Sequence, residues 1–305
     1  MATESHADRS VVPGIDRPAE VATRSRVPVG NILGRIGFIA ILVGFTVLFV
    51  YPFIWMISAS LKPGAEVFNG ELIPNPVMTE NYPELFNLTR MADWTINSTY
   101  VSILAAVTVT ISSALVAFAF AYFRFPYRGQ LFAVVLASMM LPGAVTMIPT
   151  FLIWDGLGWT NTHVPLWAGN LFASPFYIFL LRQFFLGLPR ELFDAARVDG
   201  ANYLRMWWSV ALPLTRAALI VVFVFELKAA WTDLVKPLIF LRDVGLYTLP
   251  RGLKAVVDSP SIGGERHFEL LAVGGVIVTV PMLVIFFLGQ RYFLEGIATT
   301  GSTGR

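Results

Sequence analysis

The chain has 305 residues, 56% hydrophobic and only 14% charged, with a formal net charge of +2 and a mean hydropathy of +0.67. A soluble domain carries about 25% charged residues, so this composition excludes an ordinary soluble globule and points to a membrane protein. The small net charge and scattered basic residues exclude a nucleic-acid partner, and the absence of cysteine excludes thiol catalysis, disulfide frameworks and thiolate metal sites.

Residues 1–34 are polar, with Pro13, Pro18 and Pro28 among charges of both signs. They read as a disordered cytoplasmic tail. Six apolar spans follow: Ile36–Ser60, Ile96–Phe123, Leu131–Trp154, Val164–Leu181, Ala217–Leu241 and Leu270–Gln290. A crossing needs about 20 apolar residues, and these runs lack the alternation of a barrel strand. The expected fold is an all-α polytopic bundle of six transmembrane helices over residues 35–297, with a short cytoplasmic tail at 298–305. With the N-terminus in the cytoplasm, arginines 124, 128, 182, 190, 197, 205, 216 and 291 all fall inside. The positive-inside rule asks for that excess. Both termini are then cytoplasmic. Pro142 beside Met139 and Met140 predicts a kink in the third span. Gly274-Gly275 would allow close helix contact, within the chain or across a dimer.

A dense polar island lies between two apolar runs at 188–213, LPRELFDAARVDGANYLRMWWSVALP. Pro189 suits a first helical turn, and Glu191 and Asp194 lie where the helix dipole favours acids. Asp199-Gly200 is a turn signal, with glycine free to take positive φ. A second helix is predicted from about Ala201 to Leu212-Pro213. The same spacing also fits a plain helical hairpin joining two membrane helices.

The fifth span carries Glu226, Lys228, Trp231, Asp233 and Lys236. A charge at mid-membrane costs roughly 2.5–3.5 kcal/mol, so each should face protein or water. Continuous helical spacing would put Glu226, Asp233 and Lys236 near one face and let Asp233 pair with Lys236. Glu226, Lys228, Trp231 and Asp233 are therefore candidate substrate-path residues, since carboxylates and an indole suit a sugar's hydroxyls and C–H faces. Salt bridges to a neighbouring helix are the equal alternative. His6, His163 and His267 lie in the tail and two loops, without metal-ligand spacing, and read as solvated. No Gly-rich loop ending in Lys-Ser/Thr is present, so the chain is not expected to bind ATP itself. No catalytic grouping stands out either.

Asp194-Ala195-Ala196, then Asp199-Gly200-Ala201 and Leu212-Pro213, resemble the EAA loop of membrane subunits of ATP-binding-cassette importers. Asp194 stands where that family usually has Glu. The likeness extends from about Gly34 to Ile297. It includes Asn97-Ser98, Ala121-Tyr122-Phe123-Arg124-Phe125, Leu141-Pro142, Ile148-Pro149, Trp231-Thr232-Asp233 with Pro237-Leu238, Thr248-Leu249-Pro250 and Gln290-Arg291-Tyr292-Phe293. It is nearest to sugar-importer permeases of the maltose-transporter type. Three departures are Ala217 in place of a second proline, Phe268 in place of Trp, and the ending Thr299–Arg305.

The resemblance implies a permease subunit of a type I ABC importer for a di- or oligosaccharide. Glycerol-phosphate is the alternative solute, and a secondary transporter the remoter alternative. It implies a second homologous permease, two cytoplasmic ATPase subunits that bind the ATP and Mg, and an extracytoplasmic solute-binding protein. Glu191, Asp194, Ala195, Ala196, Asp199, Gly200 and Ala201 would form the coupling contact with the ATPase.

Overall fold

The computed structural model describes residues 29–258 and 267–301, with side chains for 34–258 and 267–290. The expected tail lies largely outside the described residues, as does the 259–266 part of the loop before the last span. Among the described residues the regular structure is helical. Helix α1 is Val29–Ser60, α2 Asn81–Leu88, α3 Met91–Tyr122, α4 Arg128–Ser138 and α5 Gly143–Gly156. Then come α6 Val164–Trp167, α7 Pro175–Leu186, α8 Arg190–Val198, α9 Tyr203–Met206 and α10 Leu212–Leu214. The last are α11 Arg216–Trp231, α12 Val235–Phe240, α13 Leu249–Asp258 and α14 Phe268–Gly301. By contact, the chain divides between Pro52 and Phe53 into two units.

Three helices, α1, α3 and α14, are long and apolar enough to cross a bilayer unbroken. Three bent pairs raise the number to six if each pair is one span. The proline kink expected in the third span is a full break, with α4 and α5 at 98°. Pro142 caps α5 with extended backbone (ψ 134°) and cannot continue α4. The fourth span bends by 40° between Phe172 and Pro175. There Ala173 takes φ +66° and Ser174 is extended ahead of the proline. The fifth span bends by 83° at Thr215. Trp207–Ala211 form a π-helical turn just before it, and the Thr215 hydroxyl donates to Ala211 O at 2.8 Å.

Helix α3 is the mast of the second unit. Its buried positions Trp94, Ser98, Val101, Ser102, Ala105, Val109, Ser113, Ala117 and Ala121 recur every three or four residues. Most are small, so neighbouring backbones approach closely where lipid offers no hydrophobic drive. One apolar cluster surrounds its start, with Trp94, Trp154, Trp231, Phe240 and Leu270. A second surrounds its end, with Phe118, Tyr177, Phe185, Phe193 and Trp207. Trp94 and Phe118 are about 36 Å apart along the helix at 1.5 Å per residue, a bilayer's thickness.

Side chains stitch the start of α3 to the loop before α13. The Trp94 indole donates to Val244 O at 2.8 Å, and Asn97 donates to Gly245 O and Tyr247 O at 2.9 and 3.0 Å. Leu249 N donates to Ser98 Oγ at 2.7 Å. Gly252 lies flat on Trp94, where an added Cβ would fall 2.1 Å from the ring. Gly274 and Gly275 make their close approaches inside the chain, to Leu253 and Met56. His163 is not a solvated histidine. Its Nδ1 meets the Tyr100 hydroxyl, and its Nε2 meets Leu246 O at 2.6 Å.

Candidate coupling site and the polar face of the fifth span

Helix α8 starts at Arg190, one residue later than Pro189 would have it, and Pro189 takes the cap position instead. Glu191 sits in its first turn and Arg197 in its last, matching the helix dipole. Gly200 takes φ +78°, the left-handed conformation that glycine adopts without strain. Asn202, which sequence reasoning passed over, caps α9 by accepting from Arg205 N at 2.8 Å. Glu191, Asp194, Ala195, Asp199 and Gly200 are exposed, with Ala196 and Ala201 half-buried. Five of the seven residues are thus open to solvent on the helix and its turn.

What holds that surface is Phe193, the one residue of α8 that is buried, at 4% exposure. Its ring lies 5.9 Å from Phe118 and 5.3 Å from Tyr122 at the end of α3. Phe185 of α7 meets Phe118 edge-on at 5.8 Å. Tyr203 of α9 packs on Phe123 at 4.9 Å and on Tyr122 at 6.2 Å. Arg197 lies over Tyr203 at 6.0 Å. A cavity of about 40 Å³ remains between α8 and this seat, lined by Phe118, Tyr122, Phe185, Arg190 and Phe193. An exposed helix is thus joined through aromatic contacts to α3, and through Phe118 to α7. Phe193 was missed because its partners Phe118 and Tyr122 lie over 70 residues earlier in the chain; the cue was the one aromatic of α8.

The fifth span differs from expectation. Helix α11 stops at Trp231, so Glu226 and Asp233 are not on one continuous helical face. Asp233 Oδ1 instead accepts from Val235 N at 2.9 Å and Lys236 N at 3.2 Å, capping α12. It does pair with Lys236 Nζ, at 3.9 Å. Trp231 is 5% exposed and donates its indole N–H to Val278 O of α14 at 3.0 Å, so its ring is not open for stacking. Lys228 is exposed.

Glu226 anchors the broken fourth span. Asn170 donates to Glu226 Oε1 at 2.7 Å and to Ala105 O at 3.1 Å. The Tyr177 hydroxyl lies near the same carboxylate. Ser112 donates to Asn170 O at 2.7 Å, and Ser174 N donates to Ser113 Oγ at 3.0 Å. The break at Ala173 is thereby tied to α3 on one side and α11 on the other. Among the described residues, no cluster of three or more His, Asp or Glu side chains is placed to hold a metal ion.

Comparison with known proteins gives the arrangement its context. The arabinooligosaccharides transport system permease protein of Halalkalibacterium halodurans is 30% identical, over 92% of this chain and 99% of that protein. The sn-glycerol-3-phosphate transport system permease protein of Brucella suis is also 30% identical, over 90% of this chain and 98% of its own. In fold, the chain matches the crystal structure of a bacterial ABC transporter involved in the import of the acidic polysaccharide alginate. The TM-score is 0.74 and the identity 24%, with 87% of this chain and 98% of that one covered. Residues 106–298, which hold α8, the bends and α11, match the family described as the binding-protein-dependent transport system inner membrane component. The chain is a multi-pass membrane protein and belongs to that family.

Proposed function

We propose that this chain is one of two permease subunits of an ATP-driven importer of a di- or oligosaccharide. It would pair with a homologous second permease and receive solute from an extracytoplasmic binding protein. Two cytoplasmic ATPase subunits, which hold the ATP and Mg, would drive it. The observation that carries this reading is α8, a polar helix exposed on its outer side and seated on aromatic rings on its inner side. ATP-driven closure of the ATPase dimer would press on Asp194–Gly200. The seat would pass the push to α3 and α7, and the Thr215 bend would pass it to α11, giving two access states. Both termini and α8 then lie on the cytoplasmic side, in accord with the arginine distribution.

The relatives transporting arabinooligosaccharides and lactose favour a sugar. The glycerol-phosphate relative, equal in identity, supports the second reading. A family whose transport depends on a binding protein speaks against a secondary transporter.

The test is Ala195→Trp in the complete transporter reconstituted in vesicles. Ala195 is exposed, so the bulk should block the ATPase cleft without disturbing the bundle. Uptake should fall at least tenfold while all subunits still co-elute. Unchanged uptake, or uptake by the purified chain alone, sinks the reading. Competition by labelled arabino-oligosaccharides against labelled glycerol-phosphate decides the solute.

A further inference from the structure

At the α8 end, two arginines from different helices converge without an acid between them. Arg182, one turn before the end of α7, lays its guanidinium on the Phe132 ring of α4 at 4.2 Å. Its Nε donates to Phe120 O at 3.4 Å. Arg128, the first residue of α4, donates Nη1 to Phe123 O at 2.9 Å. Their acceptors, Phe120 O and Phe123 O, are three residues apart at the end of α3, and Phe132 under Arg182 lies one turn from Arg128 on α4, so the two guanidiniums share one patch. Among the described residues neither makes an ion pair, whereas Arg90, Lys236 and Lys254 at the opposite end each have a carboxylate. Each guanidinium has five N–H donors and spends one on a carbonyl, so most donors of both point to no protein acceptor.

Like charges held together by ring stacking and carbonyl bonds, with their forks unfilled, make a receptor for an anion with several oxygens. The surroundings select the carrier of that anion. Tyr127, in the turn just before α4, is 73% exposed, as an interfacial aromatic would be. Leu131 shares the Arg128 face one turn on and is half exposed, and Val134 follows one turn later. A phosphate bound at the arginines would therefore have an apolar strip of α4 running from it into the membrane. The geometry points to a binding site for the phosphodiester headgroup of an anionic phospholipid, held by Arg128 and Arg182, with an acyl chain along α4. Basic pockets between membrane helices bind such headgroups. Phe120 and Phe123, whose carbonyls hold the arginines, belong to the stretch that ends in the α8 seat, so the lipid braces the coupling element.

The experiment uses the complete transporter in nanodiscs of phosphatidylcholine with and without phosphatidylglycerol. Bound phosphatidylglycerol is counted by native mass spectrometry, and transport-coupled ATP hydrolysis is measured alongside. At about fivefold per arginine near an anionic surface, R128Q/R182Q should hold phosphatidylglycerol about 30-fold more weakly and lose its stimulation by that lipid. Should that variant fail to assemble, the R128K and R182K variants decide: lysine keeps the charge but not the fork, so retention should drop severalfold in each. Equal retention in wild type and variants overturns the site. Displacement of the lipid by millimolar inorganic phosphate, with no loss of stimulation, makes it a free-anion site and overturns the lipid assignment.

Discussion

The two ends of α3 are built by opposite means. At its start, Trp94, Asn97 and Ser98 each bond to the backbone between Val244 and Leu249, and Gly252 lets the chain lie against a ring. At its end, Phe118, Tyr122 and Phe123 meet α8 and α9 through ring contacts, with a cavity of about 40 Å³ left between. Hydrogen bonds fix distance and direction, so the first junction is rigid. Aromatic rings can slide and tilt at little cost in energy, each pair contributing about 0.5–1.5 kcal/mol beyond its buried area. The lesson is that one helix can be clamped at one face of the membrane and jointed at the other.

Substitutions at the two ends can break that contrast. The largest effect is expected for Phe193→Ala, which removes the one buried side chain of α8. A buried Phe→Ala change costs about 3–5 kcal/mol, enough to detach the helix. Uptake should vanish while ATP hydrolysis continues uncoupled; coupled transport at the normal rate would show the seat is not the joint. Gly252→Ala forces a Cβ into Trp94 and should cost about 1–3 kcal/mol by overpacking, read as a lower unfolding temperature of the purified complex. Asn202→Ala removes the α9 cap and should cost about 1 kcal/mol, seen as faster amide exchange confined to 200–206. Asp258→Asn removes an exposed partner of Lys254. It should change stability by less than about 0.5 kcal/mol, which calibrates the others.

Much of this was legible in the sequence, for identifiable reasons. Apolar runs mark membrane segments because lipid tolerates little else, and Pro142 announces its break by chemistry alone. Gly200 announces its positive φ in the same way. Pro213 likewise marks a boundary between the helix ending at Leu212-Pro213 and the span starting at Ala217, but not the π turn and the hydroxyl bonded to Ala211 O that accompany the Thr215 bend. The bend before Pro175 went unread inside the span Val164–Leu181. The end of α11 at Trp231 was hidden likewise, because Asp233 resembles a helical residue until its carboxylate caps the next helix. Trp231 and Glu226 were picked for polarity in an apolar span. Only their partners, Val278 O and Asn170, reveal that the chain uses them to hold its own bent segments.

Under the proposed coupling, the near-right angle at Thr215 would work as a bell crank. The arm from Tyr203 to Leu214 is about 18 Å long and the arm from Arg216 to Trp231 about 24 Å, at 1.5 Å per residue. A shove on the short arm would emerge on the long arm turned by 83° and enlarged by about a third by the ratio of those lengths. Modest travel at the loop would thus become sideways swing deep in the bilayer, where a passage has to open.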